Sequence, residues 1–339
     1  MHNCLVGSEM CIRDSICLEE NGMLTIDSSN LTNPEARYEL VKTMRASILV
    51  MGPLLAKYGR AKISQPGGCN IGTRPIDFHL SGLEQMGAEI KIDSKFIYLE
   101  AKKLKPIDFS FPKISVTGTE NLIMAAIFTP GVTNLKNCAK EPEVVDLINF
   151  LNSCGAKIEG AGTSNISITG VEDLVGGDWN ILPDRIEAGT YLVAGAITNG
   201  HVRINNISDN LILPIITTLE RMGVTIKKGK DWVEVDATTS DLKSVDIETG
   251  PFPGFPTDMQ AQFMTLNCIS DGSSLTTETV FENRFQHVTE LKKMGAKISL
   301  NNNQAKIEGV SNLVGSNVSA SDLRASASLV IAGMLAEGE

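Results

Sequence analysis

Cys69 stands in a setting suited to chemistry. It follows Pro66, Gly67 and Gly68 and precedes Asn70, Ile71 and Gly72. The two glycines permit backbone angles closed to other residues, and with them a mobile loop. Arg74, five residues on, can lower the thiol pKa if the loop folds back on it. An inert cysteine in a turn fits the same residues, because most cysteines are structural or incidental. Asp258 is a second group of interest, in Pro256-Thr257-Asp258-Met259 at a helix start. An Asp there ordinarily caps or charges the first turn. His79 follows the Cys69 loop; a proton relay and a hydrogen-bonded structural histidine are both open to it.

The remaining cysteines add no second chemistry. The seven are Cys4, Cys11, Cys17, Cys69, Cys138, Cys154 and Cys268, with no Cys-x-x-Cys pair, and the four histidines are scattered. That argues against a disulfide framework and a structural zinc site, and points to a reducing cytoplasm. Cys138, Cys154 and Cys268 lie in apolar or repeat contexts and read as packing residues. Net charge is −10 and aromatics are 5% of the 339 residues, which speaks against a nucleic-acid or anionic-membrane footprint. An anionic ligand would need a local cluster of Arg and Lys. No apolar run reaches the ~18 residues of a membrane span; Ala46–Ala56 is short and broken by Gly52-Pro53.

The elements that must position these groups come from an internal repeat. Leu83–Ile90, Leu151–Ile158, Leu219–Ile226 and Leu291–Ile298 share one pattern, with glycines at 87, 155, 223 and 295. Each predicts a helix end, a glycine C-cap and a strand. Alternating strand runs follow, such as Ala305–Val310. A polar start into a small-residue helix recurs at Thr43–Val50, Gly118–Ala126, Asp184–Gly195, Thr257–Phe263 and Asp322–Gly333. Five starts and four exits suit a βαβαββ-sized module used several times, cut off in its last copy at Glu339.

Six strings in order carry a family resemblance: Leu40–Ser47, Pro66–Pro75, Leu182–Glu187, Phe255–Gln262, Thr277–Phe285 and Asp322–Ser328. From about Asn21 to its end the chain resembles the UDP-N-acetylglucosamine enolpyruvyl transferases, which open peptidoglycan synthesis in the bacterial cytoplasm. The resemblance implies an α/β (α+β) fold, a two-domain inside-out α/β barrel of repeated βαβαββ units with helices inside and sheets outside. The first domain would span 15–182 and the second 183–339, each incomplete. The family has six units, so the first unit and the final segment, which supply a Lys-Asn pair and an Arg for phosphoenolpyruvate, are expected to be missing, and the chain as written to bind it poorly. Residues 1–14 are set apart: Leu5–Asp14 resembles a translated transposon-end sequencing adapter.

The resemblance also implies roles. Cys69 would be the general acid toward C3 of phosphoenolpyruvate and the residue alkylated by fosfomycin. Asp258 would approach the sugar 3′-hydroxyl, as its base or only to orient it. Arg45, Arg74 and Lys113 would hold anions. Pro75, Ile76, Asp77 and Phe78 would grip the nucleotide-sugar with Arg74, joined by Ile114, Ser115 and Val116 and by a backbone contact at Val280. His79, Arg284, Asp322 and Arg324 are further candidates. The partners expected are the two small-molecule substrates, with no cofactor, metal, nucleic acid or membrane, and the protein is expected to be a monomer. The rivals are a shikimate-pathway enolpyruvyl transferase, which lacks the Pro-Gly-Gly-Cys loop, and a non-catalytic UDP-sugar-binding paralogue. No phosphate-loop or Gly-x-Gly-x-x-Gly motif supports a generic nucleotide module.

Overall fold

The computed structural model describes residues 15–18, 23–27, 34–36, 41, 45–65 and 76–339. Cys69, Arg74 and Pro75 lie outside the described residues, as does the 1–14 segment. The described chain divides into two compact units, one through Asn180 and one from Ile181.

In the first unit, β1 (Ser15–Leu18) and β2 (Leu24–Asp27) pair antiparallel. Next come β3 (Glu35–Ala36), a 3-10 segment Arg45–Val50 leading into α1 (Met51–Tyr58), β4 (Arg60–Ser64), α2 (Asp77–Gln85), β5 (Glu89–Ile92) and β6 (Phe96–Glu100). The sheet order is β3-β4-β6-β5. The pattern then recurs with β7 (Asp108–Ser110), α3 (Val116–Ala126), β8 (Val132–Lys136), α4 (Pro142–Ser153), β9 (Lys157–Glu159) and β10 (Asn165–Thr169), in the order β7-β8-β10-β9. In both sheets the first strand runs parallel to the second, and the other pairs are antiparallel.

The second unit repeats the theme. It holds α5 (Arg185–Ile197), β11 (His201–Asn205), α6 (Leu213–Arg221), β12 (Thr225–Lys228) and β13 (Trp232–Asp236), in a three-stranded sheet of order β11-β13-β12. Then follow β14 (Ile247–Glu248), α7 (Gln260–Ile269), β15 (Ser273–Thr277), α8 (His287–Lys293), β16 (Lys297–Asn301) and β17 (Gln304–Glu308), ordered β14-β15-β17-β16. A fifth small-residue helix, α9 (Leu323–Gly333), comes last.

The repeated glycines behave as the pattern requires. Gly87, Gly155, Gly223 and Gly295 have φ of 98°, 99°, 93° and 90°, left-handed angles that glycine adopts without a Cβ clash. At each, the glycine N–H and the next N–H reach back to orphaned helix carbonyls: Gly87 to Glu84 and Ala88 to Leu83, at 2.9 and 3.0 Å. This is a Schellman cap, and it turns each helix into its strand. Burial sets inside and outside within a unit. In β8, Thr133 and Leu135 point inward while Val132 and Lys136 are exposed. In α7, every residue from Gln260 to Cys268 is buried, so this helix is enclosed while the sheets face outward.

One helix departs from expectation. The predicted helix over Thr43–Val50 is a 3-10 segment from Arg45, and the α-helix begins at Met51. Pro53 is the reason: it has no N–H, and its ring crowds the carbonyl four residues back, so an α-ladder cannot run through it. Asn121 on α3 spans the break. Its Oδ1 accepts the Gly52 N–H at 2.6 Å and its Nδ2 donates to the Ile48 carbonyl at 3.0 Å. A Cβ at Gly52 would stand 2.4 Å from the Asn121 carbonyl and Oδ1, so glycine alone allows this approach.

Candidate active site

The second unit gathers charge. Asp258 lies in the 3-10 turn Thr257–Met259 that leads into α7. It does not cap the helix; both its oxygens face arginines. Arg284 Nη2 donates to Oδ1, and Arg324 Nη2 donates to Oδ2 at 2.8 Å. Burial works to raise the Asp258 pKa, but the charges and hydrogen bonds of Arg324 and Arg284 outweigh it and hold the carboxyl below its usual range. The Arg284 side chain is 6% exposed and that of Asp258 37%, so the arginine is braced from behind while the carboxylate stays reachable. Each oxygen keeps a free lone-pair direction and can still accept from a hydroxyl. Arg284 also stacks near Phe281, 5.4 Å to the ring centroid.

Two further candidates are accounted for by local structure. Asp322 is the N-cap of α9, its Oδ1 accepting from the Arg324 and Ala325 N–H groups at 2.9 and 3.1 Å. That cap fixes the backbone from which Arg324 reaches Asp258. Val280 donates its N–H to Glu278 Oε1 at 2.9 Å, so a main-chain contact to a ligand there falls to the Val280 carbonyl.

The first unit gathers neutral groups. His79 is 3% exposed. The Gly52 bond fixes the Asn121 amide, so its Nδ2 donates to His79 Nδ1 at 2.9 Å. Nε2 therefore carries the proton and faces Thr117 Oγ1 at 3.2 Å. Burial, and then the Arg45 charge, push the His79 pKa down to about 4. The ring is a neutral strut linking α2, α3 and the 3-10 segment that carries Arg45. Ser115 caps α3 through the Gly118 N–H at 3.1 Å, and Lys113 is exposed just before it. Ile76, Phe78, Ile114 and Val116 pack against the core, so a ligand would meet their main chain. Asp77 is exposed in the first turn of α2.

Cys138, Cys154 and Cys268 are buried free thiols, and burial pushes Cys138 and Cys268 up to about 12. They are packing residues, as their contexts suggested. Sequence reasoning missed Asn121 and Glu278. A polar residue inside the apolar run of α3, and an acid between two threonines at the end of β15, were the available signals. Among the described residues, no group of three or more His, Cys, Asp or Glu could hold a metal ion.

The fold defines a class. It matches the enolpyruvyl transferase NikO from Streptomyces tendae with a TM-score of 0.85 at 23% identity, over 98% of this chain and 79% of that one. It matches EPSP synthase from Acinetobacter baumannii with a TM-score of 0.72 at 19% identity, over 99% and 81%. The EPSP synthase (3-phosphoshikimate 1-carboxyvinyltransferase) family model covers residues 12–339, and the chain belongs to this family. Within it, the chain is 52% identical over 324 residues to the UDP-N-acetylglucosamine 1-carboxyvinyltransferase of Coxiella burnetii (strain Dugway 5J108-111), covering 95% of this chain and 75% of the relative. To the enzyme of the same name from Ruthia magnifica subsp. Calyptogena magnifica it is 54% identical over 321 residues, covering 95% and 77%.

Proposed function

We propose that the chain transfers the enolpyruvyl group of phosphoenolpyruvate to the 3′-hydroxyl of UDP-N-acetylglucosamine and releases phosphate. The observation that carries this reading is the 52–54% identity to enzymes of that name over about 95% of the chain. The shikimate-acceptor alternative is disfavoured by the drop to 19% against EPSP synthase. A binding-only paralogue is disfavoured by Asp258, an ionised carboxylate clamped by two arginines with lone pairs left for a substrate.

The hydroxyl oxygen adds to C2 of phosphoenolpyruvate while C3 gains a proton. The adduct then loses a proton from C3 and expels phosphate, restoring the double bond. Cys69 supplies the C3 proton. Asp258 orients the 3′-hydroxyl by accepting its hydrogen bond and takes its proton as the oxygen adds to C2. Arg45, Arg74, Lys113, Arg284 and Arg324 balance the anionic groups, and the main chain at 75–78, 114–116 and 280 frames the nucleotide-sugar. The product commits the sugar to peptidoglycan, placing the protein in the bacterial cytoplasm and in cell-wall growth, cell shape and division. Among the described residues no helix is long and apolar enough to cross a membrane.

The test is fosfomycin labelling with mass mapping, alongside phosphate release. Label on Cys69, its loss in Cys69→Ala, and a large drop in turnover support the reading. Label on another cysteine contradicts the role of Cys69.

A further inference from the structure

Glu278 follows β15 and is 3% exposed. Its Oε1 accepts from Thr249 Oγ1 at 2.9 Å, the Val280 N–H at 2.9 Å and the Phe281 N–H at 3.2 Å. Its Oε2 accepts from Thr257 Oγ1 at 2.9 Å. Thr257 is the residue before Asp258. Thr249 is tied back to the same loop, since its Oγ1 accepts the Thr279 N–H at 3.0 Å and its carbonyl accepts Thr279 Oγ1 at 2.6 Å. Asn303 holds the Glu278 carbonyl at 3.1 Å. Three segments, at 249, 257 and 280–281, thus converge on one carboxylate.

Three neutral donors crowd Oε1 and one meets Oε2, and burial closes the remaining direction on Oε2 to a ligand. Glu278 has no capacity left for a substrate, so it does not touch the reaction. A buried acid satisfied this fully is a rigid joint. On one side of the joint is the turn that carries Asp258, and on the other is the Val280 main chain.

We propose that Glu278 is a positioning residue that holds the Asp258 turn and the Val280 segment in one frame, so that both meet the sugar acceptor together. The proposal rests on the roles given above to Asp258 and Val280. It distinguishes substitutions that a purely structural role would not. Glu278→Ala removes all four bonds. Glu278→Gln keeps one carbonyl oxygen for the three Oε1 donors and turns its amide toward Thr257, whose hydroxyl can reverse and accept. Thr249→Val removes one donor to the carboxylate, together with the acceptor of the Thr279 N–H, and leaves the carboxylate itself.

The experiment is calorimetric titration of the whole chain with UDP-N-acetylglucosamine, beside a thermal melt, for the wild type and these three variants. Affinity should fall about 10-fold or more in Glu278→Ala, the scale typical of outer-shell groups that orient a ligand contact. It should fall less in Thr249→Val and stay near wild type in Glu278→Gln even if that variant melts lower. Glu278→Ala binding as tightly as wild type would overturn the proposal. If Glu278→Ala does not fold, a lower melt with unchanged affinity in Thr249→Val would overturn it. A wild type that does not bind the sugar nucleotide would sink the acceptor assignment itself, and this proposal with it.

Discussion

The two candidate sites, one in each unit, solve different problems. In the first unit, Asn121, His79 and Thr117 form a chain of neutral hydrogen bonds that repairs a broken helix and shapes the backbone around Arg45. In the second, two carboxylates do separate work: Asp258 is exposed enough to meet a ligand and is matched by Arg284 and Arg324, while Glu278 is sealed inside neutral donors. Shape is set by uncharged groups on one side, and charge is set by paired ions on the other. Substitutions at Asn121 and His79 should therefore show chiefly in stability, and those at Asp258 in turnover.

The largest effect belongs to the charged site. Asp258→Asn leaves two guanidinium groups facing a neutral amide, which cannot take the proton of the 3′-hydroxyl. Turnover should fall on the order of 10³-fold, within the range for a positioned acid–base group, and the buried Arg284, left without its counter-charge, should also lower the melting temperature. A fall of only a few-fold in phosphate release would break the contrast between the two sites.

Asn121→Leu should do the reverse. It orphans the Gly52 N–H, the Ile48 carbonyl and His79 Nδ1 together. Each buried polar group left without a partner costs about 1–3 kcal/mol, so chemical denaturation should show a loss of several kcal/mol. Unchanged stability would mean that the helix break is repaired by something else.

Acidification sharpens the same contrast. His79 and His287 are buried, and burial is the first cause that pushes each down to about 4. The unfolded chain takes up protons near pH 6.5 that the native state refuses. The stability these residues contribute is present above about pH 6.5 and is lost as pH falls toward 4, at up to about 1.4 kcal/mol per pH unit for each. His79→Gln should flatten the decline in melting temperature between pH 7 and pH 5; an unaltered slope would contradict the neutral-strut role.

The smallest effect concerns Glu120 on α3. Burial, and then the nearby Glu143 and Glu141 charges, raise its pKa to about 7. Its contribution is favourable below the unfolded value and lost as pH rises through 7. Glu120→Gln should raise the melting temperature at pH 8 and leave it nearly unchanged at pH 5. Equal shifts at both would remove the charge argument.

What the sequence made legible was local. Each Leu-x-x-x-Gly step carries its own instruction, because a left-handed glycine closes a helix within five residues, and the repeat follows from four such steps. The Asp184 and Asp322 caps are local in the same sense. What stayed hidden was long-range. Asn121 meets Gly52 across 69 residues, Asp258 meets Arg324 across 66, and Glu278 meets Thr257 across 21. No pattern in one stretch announces such a pair. Pro53 was visible as a break in the apolar run Ala46–Ala56, but its effect on the helix type was not read: Arg45–Val50 is a 3-10 segment and the α-helix begins at Met51. Arg284 and Arg324 stood as secondary candidates because a lone arginine is usually a surface charge; only their shared carboxylate promotes them.

The most direct measurement of the central claim is phosphate release from phosphoenolpyruvate by the full-length protein, with UDP-N-acetylglucosamine or shikimate 3-phosphate as acceptor. Release that requires UDP-N-acetylglucosamine and is absent with shikimate 3-phosphate is the expected result. Release with shikimate 3-phosphate alone, or binding of the sugar nucleotide with no release at all, would contradict it.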